Sequence, residues 1–185
     1  MFYEGKNFSK VYIDTSSVMR YQFDTFMRSF ISELNRNHSS LIVPQAVMNE
    51  LRHIAKKEYT KRSSMAERAL ENIKALASVG VVVFRGNPND KERPDSYLMR
   101  EALSARAKGE KILIITQDSD LMRDLLALNS IKSTFAPALN VLRINNSGDL
   151  EKFDLSESSV HNRNNYFKPK AFKGTAEVLK RFGIC

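Results

Sequence analysis

The chain has 185 residues, with 29 Lys and Arg against 21 Asp and Glu and a formal net charge of +8 at pH 7. Its 42% hydrophobic and 27% charged residues suit a globular protein with one core, and the single cysteine, Cys185, excludes an intrachain disulfide or a cysteine-based zinc site. No apolar run approaches the roughly 20 residues of a membrane span, and the N-terminal residues lack the apolar core of a secretory signal, so we expect a cytoplasmic protein.

Apolar periodicity predicts strands that alternate with helices as far as about residue 145. Strands are predicted at residues 11–14, 41–43, 81–84, 112–116 and 141–144. Helices are predicted at about residues 16–37, 44–55, 63–78, 95–108 and 119–128. This alternation is typical of an α/β fold with a central parallel sheet covered by helices on both faces. We expect one domain at residues 1–145 and a polar extension of unknown role at 146–185, with a short helix at 175–182.

Acidic residues recur where predicted strands end or the next helices begin. Asp14 ends the first strand, Asp118 follows the strand at 112–116, and Asp120 lies in the first turn of the next helix. Because ligands bind beyond the carboxyl ends of parallel strands, these acids should share one edge of the sheet. Asp95 and Glu50 border the apolar faces of their own helices and can join them. Such a group suits Mg²⁺ or Mn²⁺, which can activate water for phosphodiester hydrolysis.

Most of these acids also have a structural interpretation. Asp118 could only cap the helix that follows it, and Asp120 could only complement the dipole of that helix. Asp95 could be an ordinary helix-start residue. Glu50 could pair with Arg52 or Lys57 on a solvated face. Asp14 is the exception, because an acid that closes an apolar strand is expected to have no capping role and to cost several kcal/mol if it is buried unpaired.

Four segments of the sequence, in order, resemble the PIN-domain family of metal-dependent nucleases: VYIDTSSVM, IVPQAVMNEL, RPDSYLMREAL and ILIITQDSDLMRDLL. The resemblance implies a PIN-like fold in which Asp14, Glu50, Asp95 and Asp118 bind the metal ion. It also implies that Asp120 is an additional ligand or orients the attacking water. Thr116 would hydrogen-bond to a neighbouring carboxylate and orient it. Asp90 is the alternative to Asp95 for the third position.

Basic residues follow Glu50 along the chain, and we predict that they contact the nucleic-acid backbone: Arg52, Lys56, Lys57, Lys61 and Arg62. The alternative is a solvated helix face. In the extension, Tyr166, Phe167 and Phe172 alternate with cations, a composition that suits stacking on single-stranded bases. These aromatic residues could equally pack back onto the domain.

The sequence therefore predicts an Mg²⁺- or Mn²⁺-dependent endoribonuclease that acts on single-stranded or structured RNA. A DNA or flap-type nuclease is one alternative, since the acids do not identify the sugar. A non-catalytic PIN scaffold that binds RNA or a protein partner is the other. The sequence also leaves open a homodimer or a protein inhibitor as a further partner.

Overall fold

The computed structural model of the chain describes residues 8–57, 60–130, 137–152 and 179–183. The strands of its sheet are β1 (Lys10–Ile13), β2 (Leu41–Pro44), β3 (Val82–Arg85), β4 (Ile112–Ile115), β5 (Asn140–Ile144) and β6 (Leu150–Lys152). They lie in the order β3-β2-β1-β4-β5-β6, with β1 to β5 parallel and β6 antiparallel to β5. The carboxyl ends of β1, β2, β4 and β5 therefore meet at one edge of the sheet, which we call the carboxyl edge.

The helices are α1 (Thr15–Val18), α2 (Phe23–Arg36), α3 (Gln45–Ala55), α4 (Lys61–Ser78), α5 (Pro94–Ala107) and α6 (Ser119–Ala127), with a 3₁₀ turn at Leu128–Ser130. On one face of the sheet, Val11 and Ile13 belong to a core formed with α2, α3 and α4. On the other face, Tyr12 and Ile114 belong to a core formed with α5 and α6. The predicted α/β fold, with helices on both faces of a mostly parallel sheet, is confirmed.

The long helix predicted at residues 16–37 is wrong, because the chain forms two helices there. Between α1 and α2 the backbone makes tight turns, in which Arg20 N donates to Ser17 O and Phe23 N donates to Arg20 O, each at 3.2 Å. Buried Arg68 of α4 donates from Nη2 to Tyr21 O at 3.2 Å and so satisfies a carbonyl at the break. Apolar spacing could not reveal the break, because the helical period runs through it.

The other predicted elements agree with the structure to within two residues at each end. One strand was not predicted: Leu150–Lys152 adds β6 to the sheet from within the segment assigned to the extension. Gly148, with φ of 88°, lies in the turn that leads to β6. A Cβ atom there would lie 2.8 Å from Thr25 Cγ2 of α2, so only glycine allows this close approach.

The last described residues pack into the core. Leu179 and Phe182 are buried, and the Phe182 ring meets the Phe23 ring edge-on with the centroids 6.4 Å apart. Residues 179–181 are helical, which agrees with part of the helix predicted at 175–182, whereas residues 175–178 lie outside the described residues. The aromatic and basic residues of 163–173 also lie outside them. Across the described ranges, no helix has both the length and the apolar character needed to cross a membrane.

Candidate active site

Asp14 lies at the carboxyl edge immediately after β1 and is almost completely buried, at 4% exposure. Its Oδ2 accepts hydrogen bonds from Ser16 Oγ at 2.5 Å, from Thr116 Oγ1 at 3.1 Å and from Ser16 N at 3.2 Å. Burial raises the pKa of this carboxyl above its ordinary value, and these hydrogen bonds act in the opposite direction. The carboxylate is therefore fixed in position in surroundings that disfavour its charge.

The expectation that Asp14 has no capping role is wrong. Asp14 is the N-cap of α1, because the helix begins directly at Thr15 and its exposed backbone amides need an acceptor. Capping a helix of only four residues does not by itself explain a buried carboxylate. A Ser or Asn side chain could accept the same hydrogen bond from the helix amide at a smaller desolvation cost.

Thr116 connects Asp14 to Asp118. It is fully buried at the end of β4, where its Oγ1 donates to Asp14 Oδ2 and accepts from Asp118 N at 3.0 Å. Asp118 is the N-cap of α6, and its Oδ1 accepts from Asp120 N at 2.9 Å and from Leu121 N at 3.1 Å. The capping interpretation of Asp118 thus describes a real contact, and this contact uses one of its two carboxylate oxygens.

Glu50 reaches the same edge from α3. Its Oε2 accepts a hydrogen bond of 2.6 Å from Thr15 Oγ1, and Thr15 directly follows Asp14 in the chain. Arg52 instead donates to Asn49 Oδ1 at 2.9 Å, and among the described residues neither Arg52 nor Lys57 forms an ion pair with Glu50. The half-buried Glu50 carboxylate is therefore held toward Asp14 and not toward the basic residues of its own helix.

Asp95, in the first turn of α5, lies in the electrostatic field of the other acids. Its pKa is raised, first by burial and then by the negative charges of Asp118, Glu50 and Asp124. Arg93, with Nη2 at 3.8 Å, acts in the opposite direction. Asp95 is thus more than an isolated helix-start residue, because α3 and α6 bring acids close enough to disfavour its ionisation.

Two other acids predicted near the site face solvent. Asp120 is 85% exposed and pairs with Arg123 one turn along α6 at 2.9 Å. Asp90 is exposed, and its Oδ1 accepts from Glu92 N at 3.1 Å within the loop before α5.

Asp124 was not among the predicted site residues, although its charge contributes to the raised pKa of Asp95. The available signal was its position four residues after Asp120, on the adjacent turn of the same helix.

The donor set fits a hard divalent cation. Asp14, Glu50, Asp95 and Asp118 supply only carboxylate oxygens, which Mg²⁺ and Mn²⁺ prefer, and their mutual repulsion is what a cation would relieve. As placed, the described residues contain no group of three or more His, Cys, Asp or Glu side chains close enough to hold an ion. Ion binding would therefore require the partly exposed carboxylates to rotate toward buried Asp14, a motion that exposed side chains make readily.

All the basic residues predicted to contact nucleic acid are exposed: Arg52, Lys56, Lys57, Lys61 and Arg62. Lys56 follows Glu50 by six residues, which corresponds to roughly 9 Å along α3. This surface, which we call the α3–α4 basic surface, begins within about two helical turns of the acids.

Neither of two comparisons with known proteins finds a relative of this chain: no protein-family model matches the sequence, and no curated protein matches it either. The function must therefore be inferred from the site itself.

Proposed function

We propose that this protein is a divalent-metal-dependent nuclease of the PIN-domain type that hydrolyses phosphodiester bonds in RNA. The observation that supports it most strongly is the environment of Asp14. A carboxylate that is 4% exposed, with its pKa raised by burial, lies at the edge where Glu50, Asp95 and Asp118 also lie. Buried, perturbed carboxylates of this kind are characteristic of functional sites.

The protein's own residues would position the ligands. Ser16 and Thr116 fix Asp14, Thr15 fixes Glu50, and the first turn of α6 fixes one oxygen of Asp118. Asp14 is held in place and so loses little conformational freedom when an ion binds, whereas the partly exposed acids would rotate toward it. Asp120 faces solvent and pairs with Arg123, so we assign the ion to the other four acids.

A bound Mg²⁺ or Mn²⁺ ion would lower the pKa of a water molecule and stabilise the charge that develops on the leaving oxygen. Asp95 is half-exposed and so can turn toward the ion, whose positive charge would offset the burial and the neighbouring negative charges that raise the pKa of this carboxyl.

The net charge of +8 and the α3–α4 basic surface support a nucleic-acid substrate. Backbone contacts by Lys and Arg provide affinity that does not depend on sequence. We choose RNA over DNA from the resemblance to PIN-domain nucleases, and DNA remains an outcome of the assay.

The test is cleavage of single-stranded RNA, duplex RNA and single-stranded DNA as Mg²⁺ or Mn²⁺ is added. We expect cleavage of RNA that EDTA abolishes and that Asp14→Asn, Asp95→Asn and Asp118→Asn each reduce by about 10–100-fold or more, because even loss of a group that only orients a metal ligand costs that much. Asp90→Asn is the matched control, because it removes an exposed acid from the loop before α5 and should leave activity unchanged. Undiminished cleavage in EDTA or by Asp14→Asn would rule out the metal-nuclease mechanism, and cleavage of DNA alone would correct the substrate.

A further inference from the structure

A second group of polar residues lies at the carboxyl edge, on the β5 side of Asp14. In the register of the sheet, Ile13 pairs with Ile115 and Ile115 pairs with Leu142. The next residue of each strand, Asp14, Thr116 and Arg143, therefore forms one row across three neighbouring strands. At a strand spacing of about 4.8 Å, the Arg143 backbone lies roughly 10 Å from that of Asp14.

Arg20 lies beside Arg143. It follows α1, and its Nη2 donates to Asn146 Oδ1 in the loop after β5 at 3.0 Å. The pKa of Arg20 is lowered, first by burial and then by the positive charge of Arg143, whereas Glu151 opposes the shift. Arg143 Nε donates to Glu151 Oε1 at 2.6 Å. Within the described part of the chain, the guanidinium groups of Arg20 and Arg143 thus lie together with the Glu151 carboxylate.

The hydrogen-bonding capacity of this region is not fully used. Arg20 Nε is buried and has no hydrogen-bond partner among the described residues. The same is true of Gln117 Nε2, in the residue that follows Thr116, and of Ser17 Oγ in α1. A buried donor without an acceptor destabilises the folded state, and more so when it is charged. Of these atoms, Arg20 Nε carries a charge and is the donor for which an acceptor matters most.

We infer that Arg20, with Arg143 beside it, binds a phosphate of the nucleic-acid strand. This phosphate would be adjacent to the phosphate that lies at the acids. The inference rests on the proposed function for the identity of the ligand. An anion there would offset the repulsion between the two guanidinium groups and accept the hydrogen bond that Arg20 Nε lacks. Arginine suits this role because its planar fork matches phosphate geometry, and the contact with Asn146 holds the fork in place.

The location also fits a nucleic-acid strand that runs across the carboxyl edge. Glu50 approaches Asp14 from α3, on the β2 side, and leads to the α3–α4 basic surface. Arg20 and Arg143 lie on the opposite, β5 side of Asp14. Cations on both sides of the acids would hold the backbone on either side of the scissile bond and so fix its position, whereas one basic surface would hold it on one side only.

The experiment measures binding of a short oligouridylate to the full chain in EDTA, where no metal-dependent cleavage occurs, across a range of salt concentrations. We expect Arg20→Ala to weaken binding at least about tenfold, since it removes a charge-assisted hydrogen bond to phosphate. The slope of log affinity against log salt should become shallower by about 0.7, the value for one single-strand phosphate contact. Arg36→Ala is the matched control: Arg36 is exposed at the end of α2 and pairs with Glu33, and its loss should change neither quantity.

Arg20→Lys keeps the charge but removes the planar fork, so its salt slope should match that of wild type while its affinity falls. This variant decides the question if Arg20→Ala does not fold. Binding by Arg20→Ala equal to that of Arg36→Ala, or wild-type affinity in Arg20→Lys, would overturn the assignment. So would binding of inorganic phosphate without binding of oligouridylate, because the site would then serve a free anion.

The result can be separated from the nuclease proposal. A chain that cleaves nothing but loses oligouridylate binding through Arg20→Ala would refute the nuclease and retain the phosphate site. A metal-dependent nuclease in which Arg20→Ala binds normally would retain the activity and refute this site.

Discussion

At the scale of single residues, the buried charge of Asp14 destabilises the folded state and favours binding of a cation. Burial raises the pKa of its carboxyl in the folded state, so the unfolded chain ionises this group first as pH rises. The contribution of Asp14 to the free energy of unfolding therefore falls from about pH 3.9, the ordinary pKa, up to the raised folded value and stays lower above it. The native state at neutral pH thus carries a cost that a bound cation would remove.

Asp14→Asn should therefore raise the melting temperature in EDTA at pH 7, because it removes a buried charge with little change in shape. Each kcal/mol gained corresponds to about 2–4 °C in a domain of this size. The difference from wild type should shrink as pH falls from the raised folded pKa of Asp14 toward the ordinary value, below which both side chains are neutral. Added Mn²⁺ should stabilise wild type, by about 2.7 kcal/mol at a hundredfold excess over Kd, and stabilise the variant much less.

Asp149→Asn is the control, since Asp149 is exposed in the loop before β6. Its melting temperature should follow that of wild type at every pH and Mn²⁺ concentration. A lower melting temperature for Asp14→Asn at every pH would mean that the hydrogen bonds from Ser16 and Thr116 outweigh the cost of burying the charge.

At the scale of elements, residues 179–183 join α2 and α4 in one packed unit. Asp24 of α2 accepts ion pairs from Arg68 at 3.0 Å and from Arg181 at 3.5 Å. Phe182, at 3% exposure, packs beside them against Phe23. Residues 179–183 thus stabilise α2, on the face of the sheet opposite to α5 and α6.

Phe182→Ala should lower the free energy of unfolding by about 3 kcal/mol, the usual lower range for a fully buried phenylalanine. Urea unfolding followed by circular dichroism measures this change. Leu103→Ala is the control, because Leu103 is a large apolar residue of α5 that is 49% exposed, and its loss should change stability by no more than about 0.5 kcal/mol. Equal effects of the two substitutions would show that Phe182 does not pack against Phe23 in solution.

At the scale of the whole molecule, charge is unevenly distributed. The chain carries a net charge of +8, yet acids from β1, α3, α5 and α6 meet at one edge of the sheet. The α3–α4 basic surface lies beyond Glu50. A polyanion attracted by the overall charge can therefore approach the acids only if cations close to them, or a bound metal ion, offset the local repulsion.

Lys56→Ala combined with Lys57→Ala should weaken RNA binding by a similar factor for all sequences, because phosphate contacts do not distinguish bases. The salt slope should become shallower by up to about 1.4, or about 0.7 for each phosphate that a lysine no longer neutralises. The same double substitution at Lys108 and Lys111, which are also exposed, should have little effect. Normal binding by the Lys56/Lys57 variant, together with loss of binding on truncation before Arg163, would move the RNA path to the extension.

The sequence by itself determined the order and type of most elements. Helical and strand periods are local properties, so the bounds of β1, β2 and β4 and of the helices from α3 to α6 follow from nearby residues. The parallel sheet followed from the alternation of strands and helices, which requires crossover connections. The shared edge of Asp14 and Asp118 followed in turn, since both acids come directly after strands that run in the same direction.

Only the tertiary structure decided the features that depend on residues far apart in the chain. The helix break after α1 is stabilised by Arg68, 47 positions from Tyr21, and Thr116 holds Asp14 across 102 positions. β6 has only three residues and becomes a strand by pairing with β5. The adjacency of Arg20 and Arg143 likewise has no local signal, and the position of Asp124 one turn after Asp120 does not by itself reveal its effect on Asp95. The physical reason is that periodicity records which face of an element is buried, whereas packing decides which residues of other elements it meets.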